Sequence, residues 1–244
     1  MLHHSLRYWK AVFVLLLGIT LVQAAPLSET QDSHRQIKGQ LMKLSIEQQH
    51  LARRAALLSL GDQQHLATAI QAALDDGIPI NTLKDSFVQL YAYTGFPRSL
   101  NALATLMNVV NTRKQAGKKD IEGEATPIPP QIENAQQDGE KVQTELVGRK
   151  VEGALFDFAP AIAYYLQSHL FGDIFSSPIL DWQSREIVTV SAIVAIDGAD
   201  SQLQSHIAVS RHNQISDAAL VELANILAEI NPILKQRMTI VLSN

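Results

Sequence analysis

Two residues in the second half of the chain, Glu186 and His206, have the types and the spacing to carry acid–base chemistry. Glu186 opens an apolar stretch, and burial disfavours the charged form of a carboxyl group, which suits such a group to proton exchange. His206 shares a helical stripe with Ser210 and Asn213, so we expect it to face inward among polar partners. Both residues, here called the acid–base pair, also have structural interpretations. A Glu near a helix N-terminus is favoured by the helix dipole, and an inward histidine can be a hydrogen-bonded core residue.

Several other chemistries are excluded by what the sequence lacks. The chain contains no cysteine, which rules out disulfides, thiolate metal sites and every mechanism that uses a protein thiol. It has no His-Glu-x-x-His motif, and His206 and His212 fall on opposite faces of a helix, so we expect no metal site. Isolated glycines between helices do not form a phosphate loop, and no Gly-x-Ser-x-Gly turn is present. We therefore expect no cofactor.

The elements that must position the acid–base pair are two helices on either side of Gly198. Asp181 can cap the first helix, and the stretch 185–196 is apolar on nearly every side, which is typical of a central buried helix. Its β-branched residues also allow a strand, but its length and the helices around it favour a helix. A second helix over 201–213 completes a hairpin. This arrangement predicts that the two side chains lie within direct or one-water hydrogen-bond reach.

The remainder of the chain also has helical periodicity, so we predict an all-α fold. The first half has a helical pattern from Ile37 to Leu74 with a break at Gly61 and a third helix over 80–93. Ser99 caps a fourth helix that runs to about Arg113. Its apolar stripe consists of Leu103, Leu106, Met107 and Val110.

A change of character divides the chain in two. Residues 114–147 are polar, contain three prolines and have no sustained period, which is typical of a linker or of an arm that wraps a neighbouring subunit. We therefore expect a first unit over 37–113 and a second unit over 148–244. The second unit carries the acid–base pair.

The composition limits the class of protein and its partners. With 46% hydrophobic and 18% charged residues, the 244-residue chain has enough apolar surface for a core and is not a disordered chain. The formal net charge is −4, which gives no electrostatic support for binding nucleic acid or an acidic membrane. The expected partner is a small molecule.

The N-terminus has the pattern of a secretory signal peptide over residues 1–24. A basic start with Arg7 and Lys10 precedes an apolar run, and Val22-Gln23-Ala24 supplies small residues at a cleavage site. The run is shorter than a membrane-spanning helix requires, although an uncleaved anchor is the alternative. We therefore expect a periplasmic or secreted protein with no membrane contact after cleavage.

Two stretches of the chain, residues 44–83 and 180–220, match each other weakly. Each contains a short cap, an apolar helix, a glycine break, a second helix and a turn with isoleucine. A repeat of helical hairpins is a stable all-α arrangement, while chance agreement between two hairpins is the alternative. The first stretch has His50 and about Ala69 where the second has the acid–base pair. If one half is chemically active, we expect it to be the second.

Two stretches of the chain carry a family resemblance. In residues 169–216 it rests on Arg185-Glu186, the small apolar helix, Gln202-Leu203-x-x-His206 and Asn213. In residues 66–103 it rests on Tyr93-x-Gly95-Phe96-Pro97. These runs resemble the carboxymuconolactone decarboxylase-like family, which includes the alkylhydroperoxidase-type proteins. The resemblance covers roughly residues 40–110 and 150–230 and looks like a two-repeat member. It implies an all-helical fold that assembles into a homo-oligomer, here a trimer of double-length chains.

The resemblance also implies a pocket and a reaction. Substrate-binding residues would be His169, Trp182, Arg185, Ser210 and Asn213. Thiol peroxidase activity of the family is excluded without cysteine. The decarboxylase branch implies cofactor-free proton transfer by Glu186 and His206 on a small organic acid or lactone. A non-enzymatic binding protein or a structural oligomer with a relic site is the alternative. Gln214, where the family usually has glycine, departs from the pattern.

Overall fold

A computed structural model describes residues 40–128, 130 and 132–243. This part of the chain forms eleven α-helices and one π-helix and contains no β-strand, which confirms the all-α prediction. None of its helices has the length and apolar character that crossing a membrane requires. The predicted signal peptide over 1–24 lies outside the described residues.

The first half begins with three helices: α1 (Ile46–Leu60), α2 (Gln63–Asp75) and α3 (Ile80–Thr94). Helix α1 begins later than the periodicity from Ile37 predicted, because Ser45 and Gln48 form a reciprocal capping box at its N-terminus. Gly61 then ends α1 in the left-handed conformation, and Asp62 caps α2. The predicted break at Gly61 therefore separates two helices that lie against each other.

Helix α4 (Phe96–Gln115) begins before the predicted cap. Pro97 occupies its first turn, where a missing N–H costs nothing, and Ser99 lies inside the helix with its hydroxyl donating to the carbonyl of Phe87 at 2.8 Å. Ser99 is therefore a buried helix-packing residue and not a cap. The predicted apolar stripe divides, because Leu106 is buried whereas Met107 is 58% exposed.

Helix α5 (Ala135–Val147) occupies part of the segment 114–147 that the sequence predicted as a linker or arm. Its helical pattern is weak in the sequence because it buries few apolar side chains, chiefly Val142 and Leu146. The stretch before α5 lies against the start of α3. There the carbonyls of Ile121 and Glu122 accept from the backbone N–H groups of Ile80 and Asn81 at 2.8 and 2.9 Å. The segment thus packs against the helices of its own chain.

After α5 come two short helices, α6 (Ala154–Phe158) and α7 (Pro160–Tyr165), and the π-helix (Leu166–Ile174). Helix α5 crosses the π-helix at very close range through two glycines. A Cβ atom at Gly139 would overlap the carbonyl of Gln167, and one at Gly172 would overlap the carbonyl of Ala135. Glycine is therefore required at both positions for this backbone contact.

The second half ends with four helices: α8 (Trp182–Ile193), α9 (Asp200–His212), α10 (Asp217–Ala228) and α11 (Pro232–Leu242). Asp181 and Ser216 cap α8 and α10 as the sequence indicates. Every residue of α8 is buried, which agrees with the expectation of a central buried helix.

The two halves share their hydrophobic core. Helices α1 and α8 pack on each other at the centre of the described chain. One core cluster joins Ala52 and Ala56 of α1 to Ile187 of α8 and to the C-terminal helices. A second cluster joins Val188 and Ala192 of α8 to the helices of the first half. Helix α8 is therefore held from both sides, which fixes the direction of each of its side chains.

Candidate functional site

The structure places Glu186 and His206 in direct contact across α8 and α9. Nδ1 of His206 lies 3.0 Å from Oε2 of Glu186, which is completely buried, while 19% of the His206 side chain is exposed. Because a carboxylate only accepts, Nδ1 carries the proton in this contact and Nε2 is left as an acceptor. Within the described part of the chain Nε2 makes no hydrogen bond. Nε2 of His206 is therefore the atom of the pair that can meet a substrate or water.

Two buried oxygen atoms beside the pair have no hydrogen-bond partner among the described residues, Oε1 of Glu186 and the hydroxyl of Tyr93. Tyr93 of α3 packs edge-on against the His206 ring, with 5.7 Å between ring centroids. Its hydroxyl is buried near Thr189 without a well-formed hydrogen bond to it. Burial, followed by the neighbouring Glu186 carboxylate, raises the pKa of Tyr93. The two oxygens are polar atoms that a water or a substrate group would satisfy.

Arg185 points away from the pair, into a buried ion pair with α3. Its guanidinium donates to Asp85 at 3.0 Å, to Gln89 at 2.7 Å and to the carbonyl of Ser177 at 2.9 Å. The ring of Phe175 lies 5.0 Å below it. Burial lowers the pKa of Arg185, and Asp85 opposes that effect. These hydrogen bonds make Arg185 a link between α8 and α3. Because its side chain is only 1% exposed, its charge is not available to a ligand.

A row of polar side chains on α3 joins this ion pair to the acid–base pair. Asp85, Gln89 and Tyr93 are spaced by four residues and therefore share one face of the helix. Gln89 donates to Thr189 of α8 at 2.9 Å and to the carbonyl of Arg185 at 3.1 Å. Sequence patterns gave no role to Asp85 or Gln89 and placed Tyr93 only among the residues that carry the family resemblance. The available signal was this four-residue spacing of three groups that can hydrogen-bond.

Ser210 and Asn213 lie on α9 and at its end, and both are buried. The side-chain amide of Asn213 donates to the carbonyls of Leu146 at 2.7 Å and Val209 at 2.8 Å, and its main-chain carbonyl accepts from Gln183 at 3.0 Å. Asn213 thereby ties α9 to α5 and α8. The hydroxyl of Ser210, one turn after His206, has no hydrogen-bond partner among the described residues.

His169 and Trp182 have contacts of their own. Nδ1 of His169 lies 2.9 Å from Asp173, and its ring packs on Tyr91, so it contacts the π-helix and α3. Trp182 is buried in the core cluster that includes Val209, one helical turn before Glu186 on α8. The structure thus gives His169 an exposed ion pair and Trp182 a packing position.

The described residues contain no group of three or more His, Asp or Glu side chains that could hold a metal ion. His212 instead contacts the carbonyl of Glu145 through Nε2 at 3.1 Å. A cavity of about 570 Å³ opens near the N-terminus of α8, lined by residues 40–45 and by Gln48, Gln183 and Ser184 among others. Neither member of the acid–base pair lines it.

No family model matches this chain, and no curated protein is significantly similar to it. The family resemblance is therefore an expectation drawn from the sequence alone.

Proposed function

We propose that this protein is a cofactor-free acid–base catalyst of the carboxymuconolactone decarboxylase-like type, acting on a small organic acid or lactone. The observation that carries this proposal is the 3.0 Å contact between a fully buried Glu186 and a histidine that still reaches solvent. A buried carboxylate that holds one imidazole nitrogen fixes the tautomer and makes the other nitrogen the proton-exchanging atom.

The proposed step is loss of CO₂ from a carboxylated lactone. The bond to the carboxylate breaks, CO₂ leaves, and the electron pair stays on the ring as an enolate. Nε2 of a doubly protonated His206 then gives its proton to the ring carbon that carried the carboxylate. His206 afterwards takes up a proton from the solvent, so that one proton is consumed for each CO₂ released. Glu186 stabilises the imidazolium before the transfer. The Tyr93 hydroxyl, unpartnered and beside the His206 ring, is suited to hydrogen-bond the enolate oxygen.

The order of helices and turns supports the proposed two-repeat arrangement. Each half has a capped central helix, a left-handed glycine, a second helix and a third helix, in α1–α3 and again in α8–α10. The glycines are Gly61 and Gly198. In the family resemblance the second hairpin carries the Glu and His that this proposal uses.

A panel of five-membered lactones with a ring carboxylate tests the proposal, with CO₂ release and the product followed by NMR. We expect His206→Asn and Glu186→Gln each to lower turnover by about 10²–10⁴-fold, the usual contribution of general acid–base catalysis. Tyr93→Phe should lower it by about tenfold, since it removes one hydrogen bond. Thermal unfolding of each variant should stay close to that of the wild type.

His50→Asn is the matched control, because it removes the histidine of a His–carboxylate contact in the first half of the chain, between α1 and the end of α2. Its turnover should equal that of the wild type. If His206→Asn instead costs several kcal/mol of stability and leaves turnover unchanged, His206 is a core histidine and the proposal is wrong.

The cavity at the N-terminus of α8 favours a second candidate function, non-enzymatic binding of a small molecule. Its lining contains no histidine and is separate from the acid–base pair. A ligand that co-purifies with the wild type, stays bound to His206→Asn and is lost in Ser184→Leu would assign the function to this cavity.

A further inference from the structure

The side-chain amide of Gln89 has a fixed direction. Gln89 is completely buried where α3 packs on α8, and its Oε1 accepts from Nη1 of Arg185 at 2.7 Å. Because a guanidinium only donates, the amide atom that faces it has to be the oxygen. The amide nitrogen therefore faces Thr189, to whose hydroxyl it donates at 2.9 Å. The buried ion pair of Arg185 with Asp85 thus determines which way the Gln89 amide points.

The hydroxyl of Thr189 keeps its hydrogen for a partner outside its own helix. A hydroxyl within a helix often donates to the carbonyl four residues earlier, as Ser191 does to Ile187 at 2.6 Å. For Thr189 that carbonyl belongs to Arg185, which accepts from Gln89 at 3.1 Å and, within α8, from the N–H of Thr189. Both lone pairs of the carbonyl are then occupied. Among the described residues Thr189 makes no bond of the Ser191 kind, so its hydrogen is directed elsewhere.

The hydroxyl of Tyr93 is the group that Thr189 can reach. Burial and the Glu186 carboxylate raise the pKa of Tyr93, and the Thr189 hydroxyl opposes them. A neighbour lowers the pKa of a phenol by hydrogen bonding when it donates, because a donated bond stabilises the phenolate. The oxygen of Tyr93 therefore faces a donor, and the hydrogen of its own hydroxyl has to point to another group.

The other polar groups beside the Tyr93 hydroxyl are those of the acid–base pair. The His206 ring packs edge-on against the Tyr93 ring, and Oε1 of Glu186 is buried without a hydrogen-bond partner among the described residues. The negative charge of the carboxylate favours the hydrogen of the Tyr93 hydroxyl on its side. A ligand oxygen beside the pair would therefore meet a donor at Tyr93.

We infer that Gln89 is a positioning residue that, through Thr189, makes the Tyr93 hydroxyl a hydrogen-bond donor towards the acid–base pair. This end of the site then takes a ligand oxygen that accepts, such as a carbonyl or an oxyanion. The ligand class rests on the proposed function, whereas the direction of the hydroxyl does not.

Loss of the Gln89 amide would reverse the row. Without the donated bond from Gln89, the oxygen of Thr189 becomes a free acceptor, and Tyr93 can donate to it instead of to a ligand. Removing the Thr189 hydroxyl as well takes this acceptor away, so the Tyr93 hydrogen returns to the acid–base pair. Gln89→Met and Gln89→Met/Thr189→Val should therefore have opposite effects on the donor.

Isotope-edited infrared spectroscopy of the chain with ring-labelled tyrosine tests the direction without any ligand. Accepting a hydrogen bond lowers the frequency of the phenol C–O stretch, and the Tyr93 band is assigned by its loss in Tyr93→Phe. Thr189→Val and Gln89→Met should each move the band to higher frequency, because each removes the bond that Tyr93 accepts. Ser191→Ala is the matched control and should leave the band in place, because the Ser191 hydroxyl donates to its own helix.

Calorimetric titration with two probes tests the ligand class. One probe is a five-membered lactone whose carboxylate is on the ring carbon beside the ring oxygen, where loss of CO₂ would leave no enolate. The other is the tetrahydrofuran carboxylate that lacks the lactone carbonyl. The wild type should bind the lactone about tenfold more tightly, the usual effect of one hydrogen bond. Gln89→Met and Tyr93→Phe should lose this preference, and Gln89→Met/Thr189→Val should regain it.

The regained preference distinguishes positioning from a purely structural role, which a second substitution in the core would not repair. If Gln89→Met does not fold, Gln89→Glu replaces it, because a carboxylate keeps the bond from Arg185 and can only accept from Thr189. A Tyr93 band that is unchanged or lower in Thr189→Val would overturn the direction of the hydroxyl. A wild type that binds both probes equally, or neither, would overturn the ligand class. If both results are as expected but no lactone is turned over, the proposed decarboxylation is wrong and this inference stands.

Discussion

The two halves of the chain each contain a histidine–carboxylate contact between neighbouring helices, but they bury opposite partners. In the second half Glu186 is fully buried and His206 is 19% exposed. In the first half Nε2 of His50 lies 2.6 Å from Asp76, and there the carboxylate is the exposed partner at 57%. A buried carboxylate can hold an imidazole ready for proton exchange, whereas an exposed one is screened by water.

A buried arginine accounts for the rest of the difference. When the halves are aligned, His50 and Ala69 stand where Glu186 and His206 stand. Arg54 donates to the carbonyls of both His50 and Ala69, and its Nη2 lies 3.0 Å from Nδ1 of His50. Both ring nitrogens of His50 are therefore occupied. A helical hairpin thus holds a closed structural link in one half of the chain and leaves one imidazole nitrogen without a hydrogen bond among the described residues in the other.

The largest expected effect is a difference in lost stability between variants of the two buried arginines, Arg185 and Arg54. Arg185→Met leaves Asp85, 4% exposed, without its cation and should lower the free energy of unfolding by about 3–5 kcal/mol. Arg54 has no carboxylate within ion-pair distance among the described residues, and burial lowers its pKa to about 9. Arg54→Met therefore strands no opposite charge and should cost about 1 kcal/mol or less. Urea unfolding followed by circular dichroism measures both.

A second substitution in the same ion pair sharpens this test. Asp85→Leu combined with Arg185→Met removes both charges and should recover part of the lost stability. Equal losses in the two single arginine variants would mean that Arg54 is as tightly coupled as Arg185, and the contrast between the halves would be wrong.

Particular residues show how far sequence reasoning reaches. The caps at Asp181 and Ser216 and the break at Gly198 depend on local chemistry, and their positions in the structure agree with the prediction. The contact between α8 and α9 follows from the length of a hairpin. Local rules did not reveal the direction of Arg185, because α8 is buried on every side and the orientation of Arg185 depends on Asp85, a hundred residues earlier.

A pH-dependent effect on stability is expected from the contact between His50 and Asp76. Burial, followed by Arg54, lowers the pKa of His50 below its usual 6.5. Below pH 6.5 the unfolded chain therefore binds a proton at His50 that the folded chain does not bind. Stability should fall as the pH falls, until the pH is below the lowered pKa of the folded chain. The slope from this residue can reach about 1.4 kcal/mol per pH unit.

Urea titrations at a series of pH values from 8 down into the acid range measure how the free energy of unfolding changes with pH. His50→Gln should remove the contribution of His50 to the slope. Arg54→Met should reduce this contribution, because it removes the positive charge that, after burial, lowers the pKa of His50. A wild-type curve that matches His50→Gln at every pH would contradict the assignment.

The smallest effect concerns the turn that follows the second helix of each hairpin. The first half has Gly77 with φ of 79° and the second has Gln214 with φ of 63°, the one non-glycine residue with positive φ in the described part of the chain. A side chain in this conformation costs about 1–2 kcal/mol, which glycine avoids at an entropic cost of about 0.5–1 kcal/mol. Gln214→Gly should therefore raise the free energy of unfolding by up to about 1 kcal/mol.

Gly77→Ala should lower the free energy of unfolding by a similar amount through the backbone alone, because a Cβ at Gly77 would make only an ordinary 3.8 Å contact with Ile121. Differential scanning calorimetry should show midpoint shifts of opposite sign, and shifts of the same sign would show that packing, and not φ, distinguishes the two turns.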